Sequence, residues 1–578
     1  MKDLTTSVYS FEDLIKGDFL YVDKTEYIWQ LIKPAKEMYF LSRPRRFGKS
    51  LTLSTLKAVF EGKKELFKGL AIYDKPYDWK QYPIIHLSFG DYNVVSDALQ
   101  ELPNYLTSKI QKIAQEHAVQ ISGDTPGLCF GNLIDVLSKK GEVVILVDEY
   151  DKPILDNILN PNIKDIQRCL KGFYSVLKDR NSLERLIFVT GVSKFSHVSI
   201  FSDLNNLTDI TMDARYATML GYTQEELETA FADRLATLAS DHPKDEFLQE
   251  IKKWYNGYRF EENAQTVYNP VSLAKFFQSG GEFKNYWFKT GTPTFLLDLI
   301  MKSKFDFSLS LNKPVSEAFF DAFEVTDLDP MVMLFQTGYL TIDRAERQQV
   351  PFTNKFVTKY YLRFPNMEVE ESFNGSLLTY CTTVRKQDAQ ELMLNLVMAV
   401  GTGDVDGFIK LFKSIFAGIP YAIHVKDEHY YQTVVYVVCD LLKLLVQAEV
   451  CTSDGRIDMM VAAGEWTYVI EFKLNKTAGD AMKQIENKDY AQKYRKEGHR
   501  IIEVHPKSWT QPLGCIFYGK KTKKKPSLQS GIQNRCYSRH ERTPAWIRGD
   551  SEEVLAGTDQ PGGPQPYQKP PPVGAHLP

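Results

Sequence analysis

Two apolar runs, each ending in polar chemistry, constrain this chain more than anything else in it. The first is "MYFLS" (38–42), which leads through Arg43-Pro44-Arg45-Arg46-Phe47 into Gly48-Lys49-Ser50 and then the helical "LTLSTLKAVF". The second, about a hundred residues on, is "VVILV" (Val143–Val147), followed by Asp148-Glu149. Short apolar runs of this kind, the second of them β-branched, suit strands covered on both faces, as in parallel sheets with crossover helices. "YPIIHLSF" and "LERLIFVTGVS" make two further candidate strands, again separated by helix-length segments. The expectation for residues 1–214 is therefore an α/β core.

Gly48-Lys49-Ser50 closes the phosphate-loop pattern G-x-x-x-x-G-K-[ST], with Arg43 where the first glycine would stand. Such a loop works because backbone N–H groups and a helix N-terminus surround phosphate oxygens. Gly48 would let the backbone approach, Lys49 would reach the terminal phosphates, and Ser50 would ligate Mg²⁺. Arg46 and Leu51 complete the candidate nucleotide contacts on the loop. The neighbouring arginines are expected to add positive charge near the phosphates. Asp148 would hold Mg²⁺ through water, and Glu149 would position or activate a lytic water. Thr190 or Ser193, after the next strand, would contact the γ-phosphate or that water. A GKS tripeptide can also cap an ordinary helix, and Asp-Glu can be a solvated strand end. Both motifs in order, each after a strand, favour a site for ATP and Mg²⁺. Arg215 or Arg259 could sense the γ-phosphate. Asp23, Lys24 and Thr25 have no evident chemistry beyond capping a helix.

Residues 215–350 read as a mostly helical lid. Thr223 and Glu226 form a candidate capping box, "YNGYRF" reads as aromatic packing, and 343–355 as a hairpin tip or linker. The most apolar stretch, Thr433–Val450, is interrupted by Asp440 and Lys443, so it reads as a buried helix and no membrane span is expected. Seven scattered cysteines without a C-x-x-C pair, and a start without an apolar leader, suit a cytoplasmic protein. A net charge of −3 excludes a global nucleic-acid footprint, so any basic surface must be local.

Residues 375–518 contain a second constellation, D-x₁₂-E-x-K, made by Asp458, Glu471 and Lys473. Glu471 and Lys473 would share one face of a strand, and Asp458 on the paired strand could reach the same point. The two carboxylates would bind Mg²⁺ and Lys473 would orient water or stabilise charge at a phosphodiester. Glu449 at the end of the preceding helix and Gln484 on the following one add to the set. Hairpins carry acids and lysines on solvent faces too. "HPKSWTQPLGCIFYGKKTKKK" fits a further strand and closing helix poorly; one reading is an interrupted gene near His505, which would leave the sheet without its last elements. Residues 519–578, opening on lysines and closing Pro- and Gly-rich, are expected to be a disordered tail.

"YVDKTEYI", "YFLSRPRRFGKSLTLSTL", "VVILVDEYDKPI" and "VTGVSKFSHVSIFSDLNNL" together resemble the AAA-ATPase-like family of bacterial proteins. In that family R-P-R-R-F-G-K-S is the ordinary form of the loop. The resemblance implies ATP binding and, at the C-terminus, a smaller α/β PD-(D/E)XK nuclease-like domain that 425–493 resembles. It implies Glu428 as a further metal-binding acid, and tolerates Ile457 in place of proline. The resulting expectation is an ATP-controlled, Mg-dependent nuclease acting on DNA. An ATP-switched scaffold with an inactive nuclease domain and an ATPase motor are the alternatives. A homo-oligomer stays open.

Overall fold

The four apolar runs form strands, and a short fifth joins them. In the computed structural model these are β1 (Glu37–Ser42), β2 (Ile84–Ser88), β3 (Val143–Asp148), β4 (Glu184–Gly191) and β5 (Thr208–Asp209). They lie in the order β2-β3-β4-β1-β5, every pair parallel. The structure describes residues 1–93, 98–194, 200–201, 204, 206–239, 243–287, 294–302, 313–320, 328–381, 386–417, 435–436, 438–439, 445–452, 455–463, 466–470, 500–507 and 516–521.

Parallel strands need long crossovers. Helices Lys49–Phe60, Ala98–Glu116, Pro126–Leu137 and Ile163–Tyr174 lie along those connections. β3 and β4 are buried at every residue, which is why their central residues, Val143–Val147 and Leu186–Val189, are unbroken apolar runs. The topology brings the carboxyl ends of β1, β3 and β4 to one edge, where open α/β sheets place their sites. Because β4 lies between β3 and β1, its end sits between those of the two motif-bearing strands.

The lid is helical over Gln224–Ala230, Ala232–Leu238, Lys244–Tyr255, Pro270–Gln278, Thr294–Lys302 and Pro330–Thr337. The capping box forms in full, with Thr223 and Glu226 each accepting from the other's backbone. The antiparallel hairpin β6 (Thr341–Gln349) and β7 (Phe356–Arg363) follows. Asp343–Gln349 is strand, so the tip is confined to 350–355. Asp23 and Thr25 are structural: Asp23 accepts from the Thr25 and Ala71 N–H groups, and Thr25 Oγ1 from Ile72. Lys24 pairs with Glu226 at 2.6 Å, tying the lid to the core.

Helices Met367–Cys381, Lys386–Thr402 and Val405–Ala417 lead to a second sheet. Its strands are β8 (Leu445–Thr452), β9 (Gly455–Ala463), β10 (Trp466–Ile470), β11 (Arg500–Lys507) and β12 (Ile516–Lys521), in the order β12-β11-β10-β9-β8. The Tyr468 hydroxyl docks this sheet on the carbonyls of Ala399 and Val400 at 3.2 and 3.3 Å.

Two sequence expectations are corrected here. Thr433–Val450 is not one helix, because Leu445–Thr452 pairs with β9 as a strand. The sheet also continues past His505: β12 pairs with β11, Ile502 opposite Lys521 and Glu503 opposite Lys520. Ordered chain therefore extends beyond the expected boundary at 519; residues 522–578 lie outside the described residues. Among the described residues, no helix is long and apolar enough to cross a membrane.

Glu368 joins the lid to the first C-terminal helix. Its side chain is 1% exposed and accepts from the Tyr286 and Trp287 N–H groups at 2.5 and 2.6 Å. Burial pushes its carboxyl up to about 7, from 4.5. A folded-state value above the unfolded one means that stabilisation is complete below the unfolded value and is lost as pH rises through the folded one. Going from pH 6 to pH 8 is expected to cost about 1 kcal/mol through this residue. The melting temperature of Glu368→Gln, which keeps the accepting oxygen, should fall less over that interval than that of the parent protein. Equal falls would contradict the assignment.

Candidate functional site

Gly48 begins the helix Lys49–Phe60 with φ +96°, a left-handed conformation that glycine adopts without strain. A Cβ there would meet none of the described residues within 4 Å, so the demand is on the backbone. Lys49 is buried and its ammonium donates to the loop's own carbonyls, Arg43 at 2.8 Å and Pro44 at 2.9 Å. Desolvation draws its pKa down, against the opposing pull of Asp148, Asp151 and Glu149. Ser50 Oγ donates to Asp148 Oδ2 at 2.5 Å, and Thr190 Oγ1 to Asp148 Oδ1 at 2.8 Å. The loop, the end of β3 and the end of β4 thus meet at one carboxylate. Thr190 is fully buried, so its hydroxyl serves to orient Asp148. Leu51 lies half-buried against the core, and Arg46 turns the loop at φ +69°.

Glu149 follows with φ +52°. A Cβ on Gly90 would lie 3.4 Å from Glu149 Oε2, so this carboxylate sits beside the end of β2. Burial, then the neighbouring Asp148, raise its pKa above the usual carboxylate range.

Asp151 was not singled out by sequence. It is 1% exposed, and its Oδ2 accepts from the Val192 and Ser193 N–H groups and the Ser193 hydroxyl at 3.0, 2.7 and 2.7 Å. Ser193 is therefore committed to Asp151. Only the spacing in "DEYD" hints at this, since the partner is some forty residues away.

Arg43 overturns part of the sequence reading. Its guanidinium is 1% exposed and donates to the carbonyls of Ser42, Thr211 and Tyr216 at 2.9, 2.7 and 3.3 Å. It stacks over Phe260 at 4.1 Å, and burial draws its pKa down to about 9. Its charge is spent inside the fold. Phe47 packs edge-on against Tyr258 and Phe260, with centroids 4.7 and 5.3 Å away, so "YNGYRF" is aromatic packing beneath the loop. Trp287 Nε1 donates to the Arg45 carbonyl at 3.3 Å. Gly338, at φ +89°, lies so close that a Cβ would come within 2.5 Å of Pro44. Neither candidate sensor arginine has a guanidinium hydrogen-bonded to the loop or to Asp148: Arg215 is exposed on Asp213, and Arg259 donates to the Asp343 carbonyl.

In the second sheet, Asp458 lies on β9 next to Met459, which pairs with Ile470, the residue before Glu471. Glu471, Lys473, Glu428 and Gln484 lie outside the described residues. Glu449 is on β8 and not at a helix end; its neighbours Ala448 and Val450 pair with Met459 and Ile457, which places it opposite Asp458 in register.

The family described as "Predicted AAA-ATPase" matches residues 5–201, and the PD-(D/E)XK nuclease superfamily matches 426–507. A protein of Azotobacter chroococcum mcd 1, described as an uncharacterized protein in the vnfD 5′ region, is 40% identical over 517 residues, covering 86% of this chain and 95% of its own length. The chain belongs to the AAA-ATPase-like proteins that carry a PD-(D/E)XK nuclease-like domain. The solved Aeropyrum pernix ORC2 protein, in its ADPNP–ADP complexes, is 12% identical and covers 65% of this chain and 95% of its own. Its TM-score is 0.24. This AAA-ATPase-like chain is a nucleotide-binding protein with a nuclease-like domain.

Asp151→Ala would leave two buried N–H groups and a hydroxyl without their acceptor. It is expected to cost about 2–4 kcal/mol and to lower the melting temperature. An unchanged melting temperature would contradict the role given to Asp151.

Proposed function

We propose that the protein binds ATP with Mg²⁺ at the loop, hydrolyses it, and uses nucleotide state to control a Mg-dependent nuclease-like domain acting on DNA in the cytoplasm. The observation that carries the ATP site is the row Ser50–Asp148–Thr190, with Lys49 beside it and left-handed Gly48 before the helix. A hydroxyl and a carboxylate within hydrogen-bonding distance suit a hard cation that takes oxygen ligands. Ser50 and Asp148 would hold Mg²⁺, which supplies charge neutralisation to the phosphates. Arg46, Gly48, Lys49, Ser50 and Leu51 would surround them. Lys49 would exchange its two loop carbonyls for phosphate oxygens, and Thr190 would fix the Asp148 carboxylate. Glu149, with its raised affinity for a proton, would accept one from the attacking water at a carboxylate oxygen.

For the nuclease-like domain, Asp458, Glu471 and Glu428 would hold Mg²⁺ and Lys473 would orient water at the scissile phosphate. Register opposite Asp458 adds Glu449 to this acid set. Control by nucleotide is supported by one continuous path. The Arg45 carbonyl accepts from the Trp287 indole, and the Trp287 N–H binds Glu368 on the helix that opens the C-terminal region. A scaffold with an inactive nuclease domain would keep this path and lack cleavage.

Linear, supercoiled and single-stranded DNA with Mg²⁺, with and without ATP, should be cut by the parent protein and not by Lys473→Ala. Glu149→Gln should keep ATP binding and lose about 10²–10⁴-fold in hydrolysis. Lys49→Ala should uncouple cleavage from ATP. Hydrolysis without cleavage under every condition would reject the nuclease and leave the scaffold.

A further inference from the structure

Away from the phosphate loop, a cleft of about 580 Å³ opens where the lid meets the C-terminal helices. Its walls come from the end of helix Lys244–Tyr255, the turn at Asn256-Gly257, the end of β7 and the first turn of helix Met367–Cys381. Tyr436, within the segment that matches the nuclease superfamily, also lines it.

The chain carries a net charge of −3, yet this wall holds Lys252, Lys253 and Arg363 against a single acid, Glu370. Arg363 is largely committed, with Nε on Asp343 at 3.0 Å and Nη1 on the carbonyls of Phe364 and Pro365. Lys252 and Lys253 are exposed, and neither has a carboxylate partner among the described residues. Asn366 is 7% exposed and caps the Val369 N–H with Oδ1, while its Nδ2 has no partner among the described residues. A buried amide without a partner costs free energy unless something else meets it. Phe364 and Tyr436, both half-buried, add aromatic surface.

We propose that this cleft binds the sugar–phosphate backbone of a nucleic-acid strand on its way to the nuclease-like domain. Two adjacent uncompensated lysines give the sequence-independent attraction that phosphates need. Aromatic rings beside them are the usual platform for unpaired bases. Tyr436 links the cleft to the domain that would cut. The inference rests on the nucleic-acid reading above and adds where the strand lies.

The test is fluorescence anisotropy of a labelled single-stranded oligonucleotide with the full chain across a salt series. Lys252→Glu/Lys253→Glu is expected to weaken binding about 10-fold and to reduce the salt slope by about 1–2. Lys252→Gln/Lys253→Gln should act in the same direction, less strongly. Both lysines are exposed, so the melting temperature should hold. Unchanged affinity and slope, with the parent protein binding, would overturn the cleft alone. No binding by the parent protein would overturn the nucleic-acid reading with it. Competition by inorganic phosphate as strong as by unlabelled oligonucleotide would make this a small-anion site and overturn the proposal.

Discussion

A buried guanidinium sets the terms for the rest of this molecule. Arg43 stands where a phosphate loop usually has glycine, and its charge is taken fully out of water. Burying a cation is costly unless its donors are met. Here three carbonyls accept from Nη1 and Nη2 and the face of Phe260 covers the guanidinium, while Nε has no partner among the described residues; two of those partners, Tyr216 and Phe260, lie beyond β5 at the lid. The loop in this form therefore needs the lid. Phe47 wedged against Tyr258 and Phe260, the Trp287 indole on the Arg45 carbonyl, and Gly338 against Pro44 enforce the same dependence. The phosphate loop and the lid are thus packed together at several points.

That union gives the site its second property. Lys49 is held by carbonyls of its own loop, in a pocket where burial already disfavours its charge. An anion entering there would offset the cost of the buried ammonium by pairing with it. Movement of the loop would act on Arg45, hence on Trp287 and Glu368, without requiring any large rearrangement of the core sheet.

Much of this was legible from sequence where the cause is local. Short apolar runs announced β3 and β4, and Thr223 with Glu226 announced its capping box. What failed depended on distant partners. Asp151 has its role only through Val192 and Ser193, and Arg43 through Tyr216 and Phe260. β5 spans two residues, too few for any pattern. Leu445–Thr452 was absorbed into a helix because a long apolar stretch does not reveal where its period changes. β12 ends in two lysines, which read as the start of a tail; at a sheet edge, lysines are a common guard against further pairing. Of the second site, Asp458 and Glu449 fall on paired strands, whereas Glu471, Lys473 and Glu428 lie outside the described residues.

The central claim is that a loop with arginine in the glycine's place is a nucleotide site built around Lys49. Isothermal titration of Mg-ATP into the full chain tests it most directly. The account predicts one site per chain, lost in Lys49→Ala while the melting temperature without nucleotide is kept. Absence of binding, or equal binding by Lys49→Ala, would contradict it.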